Sequence, residues 1–280
     1  MSINVHVHSR GGEKADDILR AMDDLGLERI VIFSASPRGP IEAPAEGSPD
    51  RQREVIDEVA RLVARNPARL IGFAFIEPTL PHAPEAADYA LGEKGLHGIK
   101  MTPNHWYPDD ERAQAVYSVI EKHRKPALFH SGVLALWGNT SRYCRPCDFE
   151  IMMEYPGIHF ALAHMGWPWT DECIAVAGKM KWVQPRRGHE WTCWLDITTG
   201  APRPWKTDAL RKALDYLGDE HLLFGSDGHL PAMADLARLR LQEDREMLAA
   251  AGASEETIER VFRTNALEWL GLKSSPMSLW

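Results

Sequence analysis

Short apolar runs, separated by longer stretches of helical spacing, set the layout of the chain. The first is Ile3-Asn4-Val5-His6-Val7-His8, and similar runs recur at 29–33, 70–76, 96–101, 126–130, 158–164, 191–197 and 222–227. Apolar runs of this length, bounded by Gly, Pro or Asn, predict buried strands. Between them apolar residues return every three or four positions. In 14–25 these are Ala15, Ile18, Leu19, Met22 and Leu25, with Gly26 as the stop. Comparable spacing predicts helices over 51–65 (capped by Asp50), 85–91, 110–123, 148–155, 171–182, from Thr207 or Asp208 to 217, and over 232–251 and 254–269. Segments 34–49 and 131–147 read as long loops, and the tail from Lys273 shows no pattern.

Eight strands alternating with helices at intervals of about thirty residues predict a single (β/α)8 TIM barrel, an α/β fold occupying 1–280 as one domain. Its active site would lie at the C-terminal ends of the strands. A doubly wound open sheet is the alternative. It would want a Gly-rich phosphate turn after the first strand, and His8-Ser9-Arg10-Gly11-Gly12 lacks that form.

Composition narrows the function classes. The 280 residues are 44% hydrophobic and 26% charged with a net charge of -8, which speaks against a nucleic-acid partner. No apolar run is long enough to span a bilayer and no secretory leader pattern opens the chain, so a cytoplasmic protein without a membrane partner is expected. Cys144, Cys147, Cys173 and Cys193 are too few for a disulfide framework, and Cys144-Arg145-Pro146-Cys147 reads as two reduced loop thiols. A small-molecule substrate is the expected partner, with a homodimer as the assembly allowed for.

The candidate chemistry sits at strand ends. Side chains alternate across a strand, so His6 and His8 point to the same side and can reach one metal ion. Lys100, His130, His164 and Asp227 each close a later apolar run. Barrel interiors favour branched apolar side chains, and an ionisable group there is costly unless paired or metal-bound. Six such residues in equivalent places therefore mark a site. Loops on the same face carry Trp106, Trp137, Arg142, Arg145, Trp167, Trp169, Arg186, Arg187 and Arg203. Arginine grips carboxylates bidentately and aromatics stack on flat rings, which suggests a planar acid.

The order His-x-His, His, His, Asp along the strands, with Gly98-Ile99-Lys100, Leu162-Ala163-His164-Met165-Gly166, Phe224-Gly225-Ser226-Asp227 and the closing stretch 264–270, resembles the amidohydrolase superfamily. It is similar to the branch related to aminocarboxymuconate semialdehyde decarboxylase and pyrone dicarboxylate lactonase. That resemblance implies one divalent metal held by His6, His8, His130 and Asp227, with His164 beside it as an electrostatic or proton-handling partner. Three imidazoles and a carboxylate suit zinc, or manganese if the coordination expands. Asp227 would then take a proton from water and His164 would meet the water or a developing oxyanion.

The chain departs from the family where many relatives carry Asp two residues before the first histidine, since Asn4 stands there, and at Gly228-His229, where His229 could serve as an extra base. Binuclear members carboxylate a lysine near the place of Lys100, but in this branch Lys100 reads as a cation that faces the substrate or stands just behind the metal ligands, with Arg142, Arg145 and Trp167 as further substrate contacts. The expected activity is hydrolysis of a small, carboxylate-bearing lactone, ester or amide. Non-oxidative decarboxylation of an aromatic or muconate-type acid is the alternative, and a non-catalytic metal-storing barrel is a third reading.

Overall fold

A computed structural model of the protein describes residues 1–38, 47–198 and 200–272. The middle of the loop expected over 34–49 and the tail from Lys273 lie outside the described residues. The strands are β1 (Ser2–His8), β2 (Leu27–Phe33), β3 (Leu70–Phe75), β4 (Gly98–Met101), β5 (Ala127–Phe129), β6 (Phe160–Leu162), β7 (Cys193–Asp196), β8 (Leu222–Leu223) and β9 (Gly228–His229). They form one sheet in the order β8-β7-β6-β5-β4-β3-β2-β1-β9 with every neighbouring pair parallel. Both ends of that order belong to one passage of chain, 222–229, which pairs with β7 on one side and β1 on the other. The sheet is thus a (β/α)8 TIM barrel.

The helices are α1 (Ala15–Leu25), α2 (Pro49–Val63), α3 (Ala83–Asp88), α4 (Glu111–His123), α5 (Thr170–Arg186), α6 (Arg203–Leu217), α7 (Met233–Ala250), α8 (Glu255–Glu259) and α9 (Asn265–Trp269). Local chemistry explains their ends. Gly26 adopts the left-handed conformation after α1 (φ 65°), and its amide donates to the carbonyls of Met22 and Asp23. Ser48, not Asp50, caps α2, because Pro49 takes the first helical position and the Ser48 hydroxyl accepts from the Arg51 amide at 3.1 Å.

Apolar side chains divide into two layers. Ile18, Met22, Val59, Ile120, Ala177 and Leu210 of the helices pack on the outer faces of the strands. Ile3, Val5, Val31, Ile71, Phe73, Leu128, Ala161 and Leu223 fill the inside, where Ala266, Leu267, Trp269 and Leu270 join them from α9 and its C-terminal end. The Trp269 indole donates to the His159 carbonyl at 3.1 Å, and the His97 ring donates to the Leu270 carbonyl at 2.6 Å. His97 and His159 precede β4 and β6, so α9 plugs the N-terminal end of the barrel.

Several elements differ from the expectation. The strand over 158–164 ends at Leu162, because His164 (φ 60°) and Met165 (φ 48°) turn left-handed. The helix over 148–155 is a 3-10 helix, Pro146–Glu154. A wider π turn, Arg260–Thr264, interrupts 254–269. Helix α5 continues through Pro185 to Arg186, a residue expected in a loop, and α6 begins at Arg203 rather than near Thr207.

The largest difference is the eighth strand. Residues 224–227 leave the ladder between β8 and β9, with Asp227 at φ 57°. Backbone bonds still run along the seam: Val5 N–H to Phe224 O (3.0 Å), Asp227 N–H to His6 O (3.0 Å) and Leu230 N–H to His8 O (2.8 Å). Asn4 staples it. Its amide donates to Ser226 Oγ at 2.8 Å, and its oxygen accepts from the amides of Ser226 (3.0 Å) and His6 (3.2 Å). Asn4 is fully buried, so no water replaces these bonds. Leaving a buried amide unpaired costs about 1–3 kcal/mol. Asn4→Ala should therefore lower the urea stability by about 2 kcal/mol or more, and a loss under about 0.5 kcal/mol would contradict the staple.

Candidate metal centre

Strand β1 changes face just before the site. Ile3 and Val5 pack inside the barrel while Val7 packs outside, and the register against β2 shifts between Asn4 and Val7. Beyond that irregularity His6 and His8 both reach the mouth, with ring centroids 5.0 Å apart. Phe33, at the end of β2, stands edge-on to both rings at 5.0 and 5.2 Å.

Three donor atoms converge there. His6 Nε2 and His8 Nε2 are 3.1 Å apart, and each is 3.2 Å from Asp227 Oδ1. Two donors about 2.1 Å from one ion stand about 3.0 Å apart at a right angle and about 3.4 Å apart at the tetrahedral angle. The observed triangle lies between these limits, and two imidazole nitrogens with a carboxylate oxygen suit zinc or manganese. The residues present fit a divalent ion. Among the described residues, His6, His8 and Asp227 are the group that converges in this way.

A buried carboxylate orients the first ligand. His6 Nδ1–H donates to Asp196 Oδ2 at 2.6 Å, so that once Nε2 gives up its proton His6 turns that lone pair to the triangle. Asp196 is the last residue of β7 and has no exposed surface. Thr198 supports it with its amide to Oδ1 (2.9 Å) and its hydroxyl to Oδ2 (2.8 Å).

Electrostatics follow from burial and these partners. Burial works against the charged form of His6, but Asp227 and Asp196 outweigh it and raise its pKa. Burial dominates at His8, which falls to about 3, at His164, which falls to about 4, and at His130, which lies well below the usual imidazole range. The Asp227 carboxyl loses solvation too, yet the His6 charge and hydrogen bonds from both rings hold it well below the ordinary carboxylate range. Lys100 is 1% exposed, and its ammonium has no hydrogen-bond partner among the described residues. Burial brings its pKa down to about 8, and it lies 5.2 Å over the Phe33 ring.

The other candidates are placed as follows. His130 follows β5 beside His164, ring centroids 4.8 Å apart, and its Nε2 donates to the Val133 carbonyl at 3.3 Å. It lies outside the convergent triangle. The His229 ring stacks on His8 at 4.9 Å. Arg142 donates to the Tyr107 hydroxyl at 3.0 and 2.8 Å, while Arg145 pairs with Glu172 and covers Trp169. The loop after β5 is thus tied down by its own arginines. Its start is fixed by Gly132 (φ 91°), where any Cβ would come within 2.2 Å of the Trp167 carbonyl, which itself accepts from Val133 N–H at 2.7 Å. Trp106 is buried, Trp137 is 98% exposed, and Arg203 pairs with Glu243 and Glu246.

Sequence reasoning passed over Asp196 and Thr198. Asp196 carried a readable signal, a lone carboxylate ending the apolar run Cys193-Trp194-Leu195. Thr198 carried none.

The family model described as Amidohydrolase matches residues 3–272. The chain belongs to the amidohydrolase family. No curated protein matches this amidohydrolase in sequence. Its fold is similar to that of a dihydroxybenzoic acid decarboxylase from Polaromonas sp., solved with bound manganese and the inhibitor 2-nitroresorcinol (16% identity, TM-score 0.68, covering 100% of this chain and 99% of the other). It is similar as well to 2,6-dihydroxybenzoate decarboxylase from Rhizobium (16%, TM-score 0.63, 96% and 98%). A third is a 5-carboxyvanillate decarboxylase from Novosphingobium aromaticivorans, solved with manganese and 4-hydroxy-3-methoxy-5-nitrobenzoic acid (17%, TM-score 0.64, 93% and 80%).

Gly225 lets the eighth passage lie close to the site. A Cβ there would stand 2.7 Å from His6 Cβ and 2.7 Å from Thr198 Cγ2. Gly225→Ala should displace His6 and weaken manganese binding about 10–100-fold while the protein stays folded by circular dichroism. Unaltered affinity in a metal titration would show that the passage has room to spare.

Proposed function

We propose that this amidohydrolase is a divalent-metal-dependent decarboxylase acting on an aromatic hydroxy acid, with residues 1–280 as one catalytic unit. The observation that carries the proposal is the buried, unpartnered ammonium of Lys100 near the His6, His8 and Asp227 triangle. An uncompensated buried cation is costly, and a substrate carboxylate or phenolate is the group that would neutralise it. The likeness to decarboxylases of hydroxylated benzoates supports the same class. In this reading the alternative drawn from the sequence takes the place of lactone, ester or amide hydrolysis.

His6, His8 and Asp227 would hold the ion, with His130 as a fourth ligand once its Nε2 leaves the Val133 carbonyl. Manganese is favoured over zinc by the neighbours that contain it. When bound, the ion supplies a Lewis acid for the oxygen atoms of the substrate. Lys100 would bind the acid's negative charge, with Trp167, on the loop after β6, and Arg142, on the loop after β5, proposed as further contacts. Decarboxylation breaks the bond between ring carbon and carboxyl carbon; the electron pair stays on the ring carbon, which gains a proton as CO2 leaves. His164, half-buried and facing the same mouth, would take a proton from a substrate hydroxyl at Nε2 and pass it to that carbon.

Manganese-loaded protein should release CO2 from 2,6-dihydroxybenzoate or 5-carboxyvanillate, measured by coupled carbonate detection. Turnover of 2-pyrone-4,6-dicarboxylate with no CO2 from any hydroxybenzoate would overturn the proposal in favour of hydrolysis. Elemental analysis should find one ion per chain, and His6→Ala should lose the ion and the activity together.

A separate expectation concerns His164→Asn. Removing a general acid or base typically costs about 10²–10⁴-fold. The variant should keep its metal while turnover falls by that order and KM moves less. Parallel loss of metal would make His164 a ligand instead.

A further inference from the structure

Thr198 stands two residues beyond the end of β7 and touches two histidine environments at once. Its Oγ1 is 2.8 Å from Asp196 Oδ2 and 2.8 Å from His164 Nδ1, and its carbonyl oxygen is 3.2 Å from the same Nδ1. A hydroxyl has one hydrogen to give. Asp196 already accepts from His6 Nδ1–H at 2.6 Å and from the Thr198 amide, so it is an ionised acceptor. The Thr198 hydroxyl hydrogen therefore points to Asp196, and the lone pairs of Oγ1 face His164. A backbone carbonyl is likewise only an acceptor. Two acceptors facing one ring nitrogen require that nitrogen to carry the hydrogen.

We propose that Thr198 is a positioning residue that holds neutral His164 as the Nδ1–H tautomer, so that Nε2 presents its lone pair at the barrel mouth. Neither the family match nor the structural neighbours assign a role to this residue. Asp196 and Thr198 then act as one unit on two rings. The carboxylate turns His6 Nε2 toward the metal triangle, and the hydroxyl turns His164 Nε2 toward the substrate. His164 accordingly meets the substrate as a hydrogen-bond and proton acceptor rather than as a donor to an oxyanion. Its consequence for turnover rests on the proposed function, whereas the tautomer itself does not.

The test uses zinc-loaded protein, which is diamagnetic, labelled with 15N-histidine. A long-range 1H–15N correlation spectrum distinguishes the two neutral tautomers, and the His164 signals are assigned by their disappearance in His164→Asn. Wild type and Thr198→Ser, which keeps the hydroxyl, should both show His164 protonated at Nδ1. Thr198→Val preserves the volume but removes the nearer of the two acceptors and leaves only the carbonyl at 3.2 Å, so the Nε2–H tautomer should become populated beside the Nδ1–H form. An Nε2–H pattern in wild type overturns the proposal without reference to any variant. So does an unaltered Nδ1–H pattern in Thr198→Val. In the CO2-release assay Thr198→Val should lower turnover about 10–100-fold with KM changed less, and Thr198→Ser should restore it. Failure of every hydroxybenzoate as a substrate would count against the proposed function and leave the spectroscopic result standing.

Discussion

Closure of the barrel between β1 and the passage 222–229 is the constraint on which the mouth depends. A parallel sheet of short strands leaves its edges unsatisfied unless the first strand bonds to the last. Here the last passage meets both demands by breaking in the middle. Leu222–Leu223 continue the ladder from β7, and Gly228–His229 continue it to β1. The four residues between them are free of strand geometry, which allows Asp227 to adopt a left-handed backbone and bring its carboxylate to the two β1 histidines. Asn4 makes the arrangement durable because a single amide side chain meets the Ser226 amide and hydroxyl across the seam and the His6 amide on its own strand. A carboxylate in place of Asn4 would lack the N–H that reaches Ser226 Oγ.

Residue type and strand period made much of this legible. His6, His8 and Asp227 were readable because a histidine pair two apart and an aspartate at the end of an apolar run need no distant information to be noticed. The barrel followed from the spacing of the runs. What escaped depends on contacts far apart in the chain. Arg145 chooses Glu172 and Arg142 chooses Tyr107, and no periodicity encodes those partners. The split of the eighth strand arises from the close approach of Gly225 to His6 and Thr198, a packing fact. Thr198 is an ordinary threonine until Asp196 and His164 are placed on either side of it. His130 was readable as a strand-end ligand type, but its hydrogen bond to Val133 is decided by the loop that follows.

The charges at the mouth are arranged around scarcity of water. Burial drives His8, His130 and His164 toward the neutral imidazole, the form that can coordinate a metal or accept a proton. His6 is drawn the other way by two carboxylates. Asp196 lies wholly within the protein and has its partners built in, whereas Asp227 is 45% exposed and keeps an open side. Against these stands Lys100, a cation with no counter-charge in hydrogen-bonding reach among the described residues. The mouth thus brings together three donors of metal-ligand type and one cation without a matching anion among the described residues.

The plug formed by α9 fixes how material moves through this molecule. Trp269 and Leu270 seal the N-terminal end of the barrel against Phe73 and the strand starts, and the interior above them is filled with apolar side chains. Among the described residues the N-terminal end is closed, which leaves the C-terminal ends of the strands as the side from which the histidines are reached. A molecule that reaches the histidines and whatever leaves them share the same opening, past the loops after β5 and β6. In the proposed reaction, entry of the next acid would wait for the ring-bearing product to depart by the same side.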